Sequence, residues 1–194
     1  LYGMTKATGE RVWTRYNMFG HPRTHFSVLR YGNVFDSQGS VVHIWQHAIE
    51  QGKPAIVRTP IPTRFVQFLK WGSKWVQEVL PIMRGGEIFV PNNLKAVDME
   101  GVAKALTPEI AYESILSGEK QHEILLAPEE HRAAVIVGNF IIINPDSPQW
   151  PYEAWRGIPM YDEPYQSGTV PRMSGDEFLQ LYRAEATLLI GESA

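Results

Sequence analysis

Apolar and polar positions repeat with two different periods along this chain, and the switches between them divide it into elements. Over residues 4–19, Val12, Trp13, Tyr16 and Phe19 recur at helical spacing, which predicts a helix with these residues in the core. Gly20-His21-Pro22 stops it. Residues 25–30 alternate and then run apolar, as a buried strand of a parallel sheet does. A loop over 31–39 follows, and Ser40 is placed to cap a helix through His43, Ile44, His47 and Ile49 to Gly52. Residues 54–57 predict a short strand, and prolines fix 58–65 as an extended connection.

Helical periodicity returns over 70–83 (Trp71, Trp75, Val76, Val79, Leu80) and closes at Arg84-Gly85-Gly86. Residues 87–91 predict a buried strand, 99–106 a short amphipathic helix, and 112–116 another strand. Residues 134–144 are strongly β-forming, with Gly138-Asn139 as a candidate turn. The stretch 145–171 is rich in proline, tyrosine and tryptophan without a period, and predicts an irregular covering segment. Ser174-Gly175-Asp176-Glu177 is a capping box that opens a last helix to about Glu185.

Composition narrows the function classes. With 194 residues, 44% hydrophobic and 20% charged, the chain is long enough for a substantial core. A net charge of −3 argues against a nucleic-acid partner, which calls for a basic face. The absence of cysteine removes disulfides and thiolate sites and points to the cytoplasm. The apolar runs at 133–137 and 140–143 are too short to span a bilayer, so no membrane role is expected.

Candidate chemistry begins at Tyr2 and Lys6, four apart and therefore on one helix face. A phenol titrates near about 10, and a neighbouring ammonium favours its ionised form, which suits proton transfer. The same spacing fits an exposed tyrosine beside a solvated lysine. Asn33 is both donor and acceptor at a strand end, where doubly wound folds collect ligands, although Gly-Asn also makes an ordinary turn. His43 and His47 share a helix face, but no third ligand of suitable spacing stands near, so no metal site is expected.

The order Tyr2-Gly3-x-Thr5-Lys6, then Arg30-Tyr31-Gly32-Asn33-Val34, then Gly39-Ser40-Val41-Val42 resembles the extended short-chain dehydrogenase/reductases. Thr63-Arg64-Phe65 and Gly118-Glu119-Lys120-x-His122-Glu123 narrow the resemblance to inverting UDP-N-acetylglucosamine 4,6-dehydratases of the polysaccharide biosynthesis family. The resemblance implies an α/β fold: the second half of a Rossmann-type doubly wound parallel sheet, interleaved with a small C-terminal substrate-binding domain. Residues 1–110 would hold the dinucleotide-binding half with interleaved segments, and 111–194 mainly the substrate region.

The implied reaction is a transient oxidation at carbon 4 of the sugar, loss of water across carbons 5 and 6, and return of the hydride. Tyr2 and Lys6 would be catalytic and would meet the cofactor, NADP or NAD, together with Tyr31, Asn33 and Val34. Asn33, Ser40, Val41, Arg64 and Glu119 would meet the UDP-amino-sugar, with Arg64 on the diphosphate and Glu119 on a ribose hydroxyl. A homo-oligomer is also implied. An epimerase of the same superfamily and a non-catalytic sugar-nucleotide-binding subunit are the alternatives.

Two departures stand out. Leu116-Ser117 replaces the family's Arg-Pro before Gly-Glu-Lys, and Lys70-Trp71 replaces an acidic pair. The chain also opens inside a motif and contains no glycine-rich phosphate loop, from which we expect the C-terminal part of a longer polypeptide.

Overall fold

The computed structural model describes residues 2–19, 24–35, 37, 39–145, 153–160 and 164–191. The elements begin α1 (Tyr2–Tyr16), β1 (Val28–Leu29), α2 (Val41–Glu50), β2 (Ala55–Thr59), β3 (Thr63–Phe65) and α3 (Leu69–Val79). Next come β4 (Ile88–Pro91), β5 (Ala96–Asp98), α4 (Met99–Leu106), β6 (Ile110–Ser114) and β7 (Ile124–Leu126). A 3₁₀ turn (Pro128–Ala133), β8 (Ala134–Val137), β9 (Phe140–Ile143), β10 (Ile158–Pro159), β11 (Tyr165–Gln166) and α5 (Gly175–Gly191) complete the series. The helix stop expected at 20–22 lies outside the described residues.

The chain divides into two compact units, each assembled from three separated stretches. The first takes Leu1–Tyr31, Ser73–Asn93 and Leu125–Tyr165; the second takes Gly32–Gly72, Leu94–Ile124 and Gln166–Ala194.

The first unit is built on a five-stranded sheet in the order β1-β4-β9-β8-β10. β1 and β4 run parallel, whereas β4–β9, β9–β8 and β8–β10 are antiparallel. This corrects the expected parallel sheet to a mixed one, and the reason is local. Gly138-Asn139 joins β8 to β9, and a two-residue connection can only join antiparallel neighbours. Gly138 takes the positive φ of +57° that such turns use, and Asn92 Nδ2 donates to its carbonyl at 2.9 Å. Phe89, Val90, Ile141 and Ile142 are all buried, which accounts for the unbroken apolar runs of β4 and β9.

The helix α1 also departs from expectation. Val12, Trp13, Tyr16 and Phe19 were expected in the core, yet they are exposed, Phe19 by 82%. Trp13 stacks on Phe26 with centroids 5.1 Å apart and Tyr16 meets the same ring edge-on at 5.5 Å. Helical periodicity identifies an apolar face but not what covers it.

The second unit has its own core. Parallel β2–β6 and antiparallel β3–β5 form two small sheets, and α2, α4 and α5 contribute buried faces. Phe178 of α5 sits at the centre, 4.6 Å from the Phe35 ring and 6.3 Å from Phe68. A Cβ on Gly175 would come 2.0 Å from the Gly101 carbonyl oxygen, so only glycine permits this approach of α5 to α4. Asp98 caps α4 by accepting the Gly101 N–H at 2.6 Å. The expected capping box on α5 is formed: Ser174 and Glu177 exchange bonds at 2.8 and 3.2 Å, and the helix continues to Gly191. Ser40 occupies the N-cap position of α2 but makes no side-chain cap bond. Its carbonyl takes the Ile44 N–H instead, at 3.2 Å.

Candidate functional site

In the first unit, Tyr2 opens α1, and its side chain lies outside the described residues. Lys6 stands exposed one turn on, and Glu10 follows at the same spacing, so all three fall on one stripe of the helix. Arg30, just after β1, reaches that stripe. Its Nε donates to Glu10 Oε2 at 2.9 Å and its Nη2 to Glu10 Oε1. The guanidinium also forks onto Glu130 at 2.7 and 2.8 Å, and Nη1 donates to the Leu125 carbonyl at 2.8 Å. One guanidinium therefore fastens the helix that holds Tyr2 and Lys6 to the strand end and to the 3₁₀ turn. Burial works against the charge on Arg30, but its bonds to Glu130 and Glu10 outweigh that, and its pKa is raised. Burial likewise opposes the Glu130 charge, yet Arg30 and the Ala127 N–H hold this carboxyl below the usual carboxylate range. Tyr31, which ends this part of the unit, is exposed.

In the second unit, the expected binding residues gather along β3. Arg64 donates from Nη1 to the carbonyls of Thr63 and Gln121 at 2.8 and 3.1 Å, and its Nη2 lies 3.5 Å from Glu119 Oε1. Glu119 is brought there by a turn. Its N–H bonds the Leu116 carbonyl at 3.0 Å with Gly118 at φ +84°, the conformation a type II turn demands at that position. Leu116 points to solvent with 58% of its surface exposed.

Glu123 lies against this strand. Its Oε2 accepts the Phe65 N–H at 2.9 Å. A Cβ on Gly32 would meet Phe65 Cβ at 2.9 Å, so glycine is what lets this segment pack against β3, with Glu123 Oε2 3.4 Å from the same point. Burial pushes the Glu123 carboxyl up, against the opposing pull of the Phe65 amide, the Arg64 charge and the Asn33 amide. Asn33 itself is exposed and Val34 is half-buried, the Val34 carbonyl accepting Ser37 Oγ at 2.8 Å. Ser40 is buried and Val41 packs on the core of the unit.

A chain of hydroxyls fixes Glu123 from behind. Ser167 Oγ donates to the Thr63 carbonyl at 3.0 Å and accepts the Glu123 N–H at 2.9 Å. With that proton committed, Ser167 takes the Thr63 hydroxyl as donor at 2.7 Å, and Thr63 Oγ1 takes a proton from His122 Nδ1 at 2.7 Å. Only this assignment satisfies all four bonds, and it makes Nδ1 of the His122 ring a donor. A Cβ on Gly168 would lie 3.0 Å from His122 Cγ, so the ring rests on a glycine.

Sequence reasoning gave no role to Glu10, Arg30, Glu130, Thr63, His122, Glu123 or Ser167. The available signal for Arg30 was its place at the end of an apolar strand, where a charge must be paired. Among the described residues no three His, Cys, Asp or Glu could hold a metal ion. His47 lies 3.7 Å from Glu50 and bonds Gln51.

Residues 1–145 match the family described as polysaccharide biosynthesis protein. The chain belongs to that family. Its relatives include the inverting UDP-N-acetylglucosamine 4,6-dehydratase of Campylobacter jejuni, 36% identical over 149 residues, or 75% of this chain and 44% of that protein. The UDP-glucose 4-epimerase of Rickettsia bellii is 30% identical over 92% of this chain and 55% of its own length. The X-ray structure of Pen from Bacillus thuringiensis superposes with a TM-score of 0.78 at 26% identity, covering 94% of this chain and 57% of that one. The chain thus spans about half the length of the relatives it matches. No helix among the described residues is long and apolar enough to cross a membrane.

Proposed function

We propose that the full-length protein containing this chain is a nucleotide-sugar 4,6-dehydratase that converts UDP-N-acetylglucosamine to a UDP-4-keto-6-deoxy-N-acetylhexosamine. The observation that carries the proposal is the Arg64–Glu119 pair at 3.5 Å, on a strand whose next residue, Phe65, donates its N–H to Glu123. A half-buried guanidinium suits a diphosphate, a carboxylate beside it suits a ribose hydroxyl, and an exposed asparagine amide suits an N-acetyl group. Similarity to dehydratases over three-quarters of the chain supports the same reading. We place the protein in the cytoplasm, as a homo-oligomer.

The residues present fit the nicotinamide end of NADP or NAD. Lys6 offers an exposed cation one turn from Tyr2, on a helix face fastened through Glu10, and Tyr31, Asn33 and Val34 line the strand-end loop. The nicotinamide, when bound, supplies a reversible hydride acceptor. Tyr2 takes the proton of the carbon-4 hydroxyl, and Lys6 holds the ribose and favours the ionised phenol. Arg64 and Glu119 orient the nucleotide, and Asn33 the amino-sugar.

The similarity to a 4-epimerase across 92% of the chain favours epimerisation as the second reading. Incubating the full-length protein with UDP-N-acetylglucosamine and weighing the product separates them. Loss of one water is the expected result. An unchanged mass with altered sugar configuration would establish the epimerase, and bound but unaltered sugar would indicate a non-catalytic subunit. Tyr2→Phe should lower kcat by about 10²- to 10⁴-fold with little change in UDP affinity. Near-normal turnover would remove Tyr2 from the chemistry.

A further inference from the structure

The helix α1 is held to the β1 segment at two heights. Toward its C-terminal end the Asn17 side chain brackets Phe26: Oδ1 accepts the Phe26 N–H and Nδ2 donates to the Phe26 carbonyl, each at 2.8 Å. Seven residues earlier, Glu10 takes Nε and Nη2 of Arg30. Seven helical residues rise about 10 Å. The residues from Phe26 to Arg30, bonded to β4 at Val28 and Arg30, span about 13 Å. The two lengths nearly match, so the helix lies along the strand and runs against it. Lys6 stands one turn before Glu10 and Tyr2 two turns before, and the line of the helix therefore continues past Arg30 toward Tyr31, where the chain leaves β1. Arg30 is itself fixed, to Glu130 at 2.7 and 2.8 Å and to the Leu125 carbonyl at 2.8 Å. We infer that Arg30 is a positioning residue for proton transfer, setting the height of the Tyr2–Lys6 pair against the strand end at Tyr31. The inference rests on the function proposed above and adds to it a residue that acts through the helix.

The two carboxylates on this guanidinium have separate tasks. Leu125 of β7 and Glu130 of the 3₁₀ turn hold Arg30 in place, and Glu10 carries that placement to the helix. Arginine suits the junction because its fork bonds in two directions at once, Nε and Nη2 toward Glu10 and Nη1 and Nη2 toward Glu130. Lysine supplies the charge without the fork. Height matters at Tyr2 because a group that moves a proton must stay within hydrogen-bond reach of the reacting hydroxyl. A misplacement of about 1 Å from a change far from the chemistry can cost about a hundredfold in rate. Binding of the nucleotide is assigned instead to Arg64 and Glu119, which belong to the second unit. Loss of the Glu10 bond should therefore appear in kcat and spare KM.

The test compares the full-length wild type with Glu10→Gln, Glu130→Gln and Arg30→Lys. For each, kcat and KM for UDP-N-acetylglucosamine, unfolding in urea, and amide exchange over residues 6–9 without ligand are measured. Glu10→Gln should lower kcat about ten- to a hundredfold with KM little changed, and should speed exchange over 6–9. Glu130→Gln takes a carboxylate from the same guanidinium and should cost comparable stability, yet its loss of kcat should be about tenfold smaller. Arg30→Lys keeps the charge and should retain more turnover than Glu10→Gln but less than Glu130→Gln; it replaces Glu10→Gln in the comparison if that variant does not fold. Losses of kcat that follow stability alike in Glu10→Gln and Glu130→Gln overturn the inference, as does a raised KM with kcat unchanged in Glu10→Gln. A wild type that turns over no UDP-sugar, with exchange over 6–9 faster in Glu10→Gln than in Glu130→Gln, refutes the functional reading but supports the fastening of the helix through Arg30. Equal exchange in that case refutes both.

Discussion

Two carboxylates seven residues apart in sequence, Glu123 and Glu130, are shifted in opposite directions. Both lose hydration, and in each case that loss is the largest influence, pushing the carboxyl up. At Glu130 a guanidinium bonded through both oxygens at 2.7 and 2.8 Å reverses the outcome. At Glu123 the bonded partner is the neutral Phe65 amide, and Arg64 acts only through its charge, so burial prevails. The first unit thus fastens its helix with a bonded ion cluster, and the second joins its segments with dipoles around an under-compensated charge. An ion cluster resists partial removal because each remaining charge is stranded. A dipolar junction gives way more gradually, since each bond lost exposes a neutral group.

Removing Arg30 should have the largest effect. Arg30→Met leaves Glu10 and Glu130, at 18% and 24% side-chain exposure, without their cation. The expected loss is about 3–5 kcal/mol in urea denaturation. Arg30→Lys should lose less, because it keeps the charge and gives up the fork geometry. A loss under about 1 kcal/mol for Arg30→Met would put the cluster among surface pairs and erase the contrast with the second unit.

Ser167→Ala is the matching change in the second unit and should cost less, about 1–3 kcal/mol, because it strands the neutral Glu123 N–H and the Thr63 hydroxyl rather than a charge. It should also weaken UDP binding, since Ser167 holds Glu123 from behind. A stability loss as large as that of Arg30→Met would contradict the distinction between ionic and dipolar fastening.

The contrast between the two clusters is also a contrast in legibility. Local chemistry is readable: Gly138-Asn139 announces the β8–β9 hairpin because the turn needs a positive φ, and Ser174 to Glu177 announces α5 because those side chains satisfy the helix's open N–H groups. Arg64 and Glu119 were recognisable singly from their motifs, but their pairing was not, since it depends on the turn at Gly118 folding a distant stretch against β3. Ser167 had no signal at all: a serine in a proline- and tyrosine-rich stretch becomes a buried junction only when 166–168 lies beside Thr63 and Glu123. The apolar face of α1 was misassigned to the core for the complementary reason, that period reveals a face and not its neighbour.

The smallest effect, and the one that most directly probes the comparison, is in pH. The folded pKa of Glu130 lies below its unfolded value, so its contribution is present above the unfolded pKa and is lost as pH falls through the folded one. Glu123 has a raised folded pKa, so its contribution is present below the unfolded value and is lost as pH rises through the folded one. Unfolding free energies of the wild type, Glu130→Gln and Glu123→Gln, measured from about pH 2 to about pH 8, cover the ordinary carboxylate range and the regions below and above it. As pH rises, the wild type should gain stability relative to Glu130→Gln and lose it relative to Glu123→Gln. Two differences of the same sign would mean that Glu123 is compensated as Glu130 is, and that its neutral partners suffice to hold a buried charge. Opposite signs would mean that ionising Glu123 costs the second unit stability where ionising Glu130 adds to that of the first, as one bonded backbone amide in place of a bonded guanidinium requires.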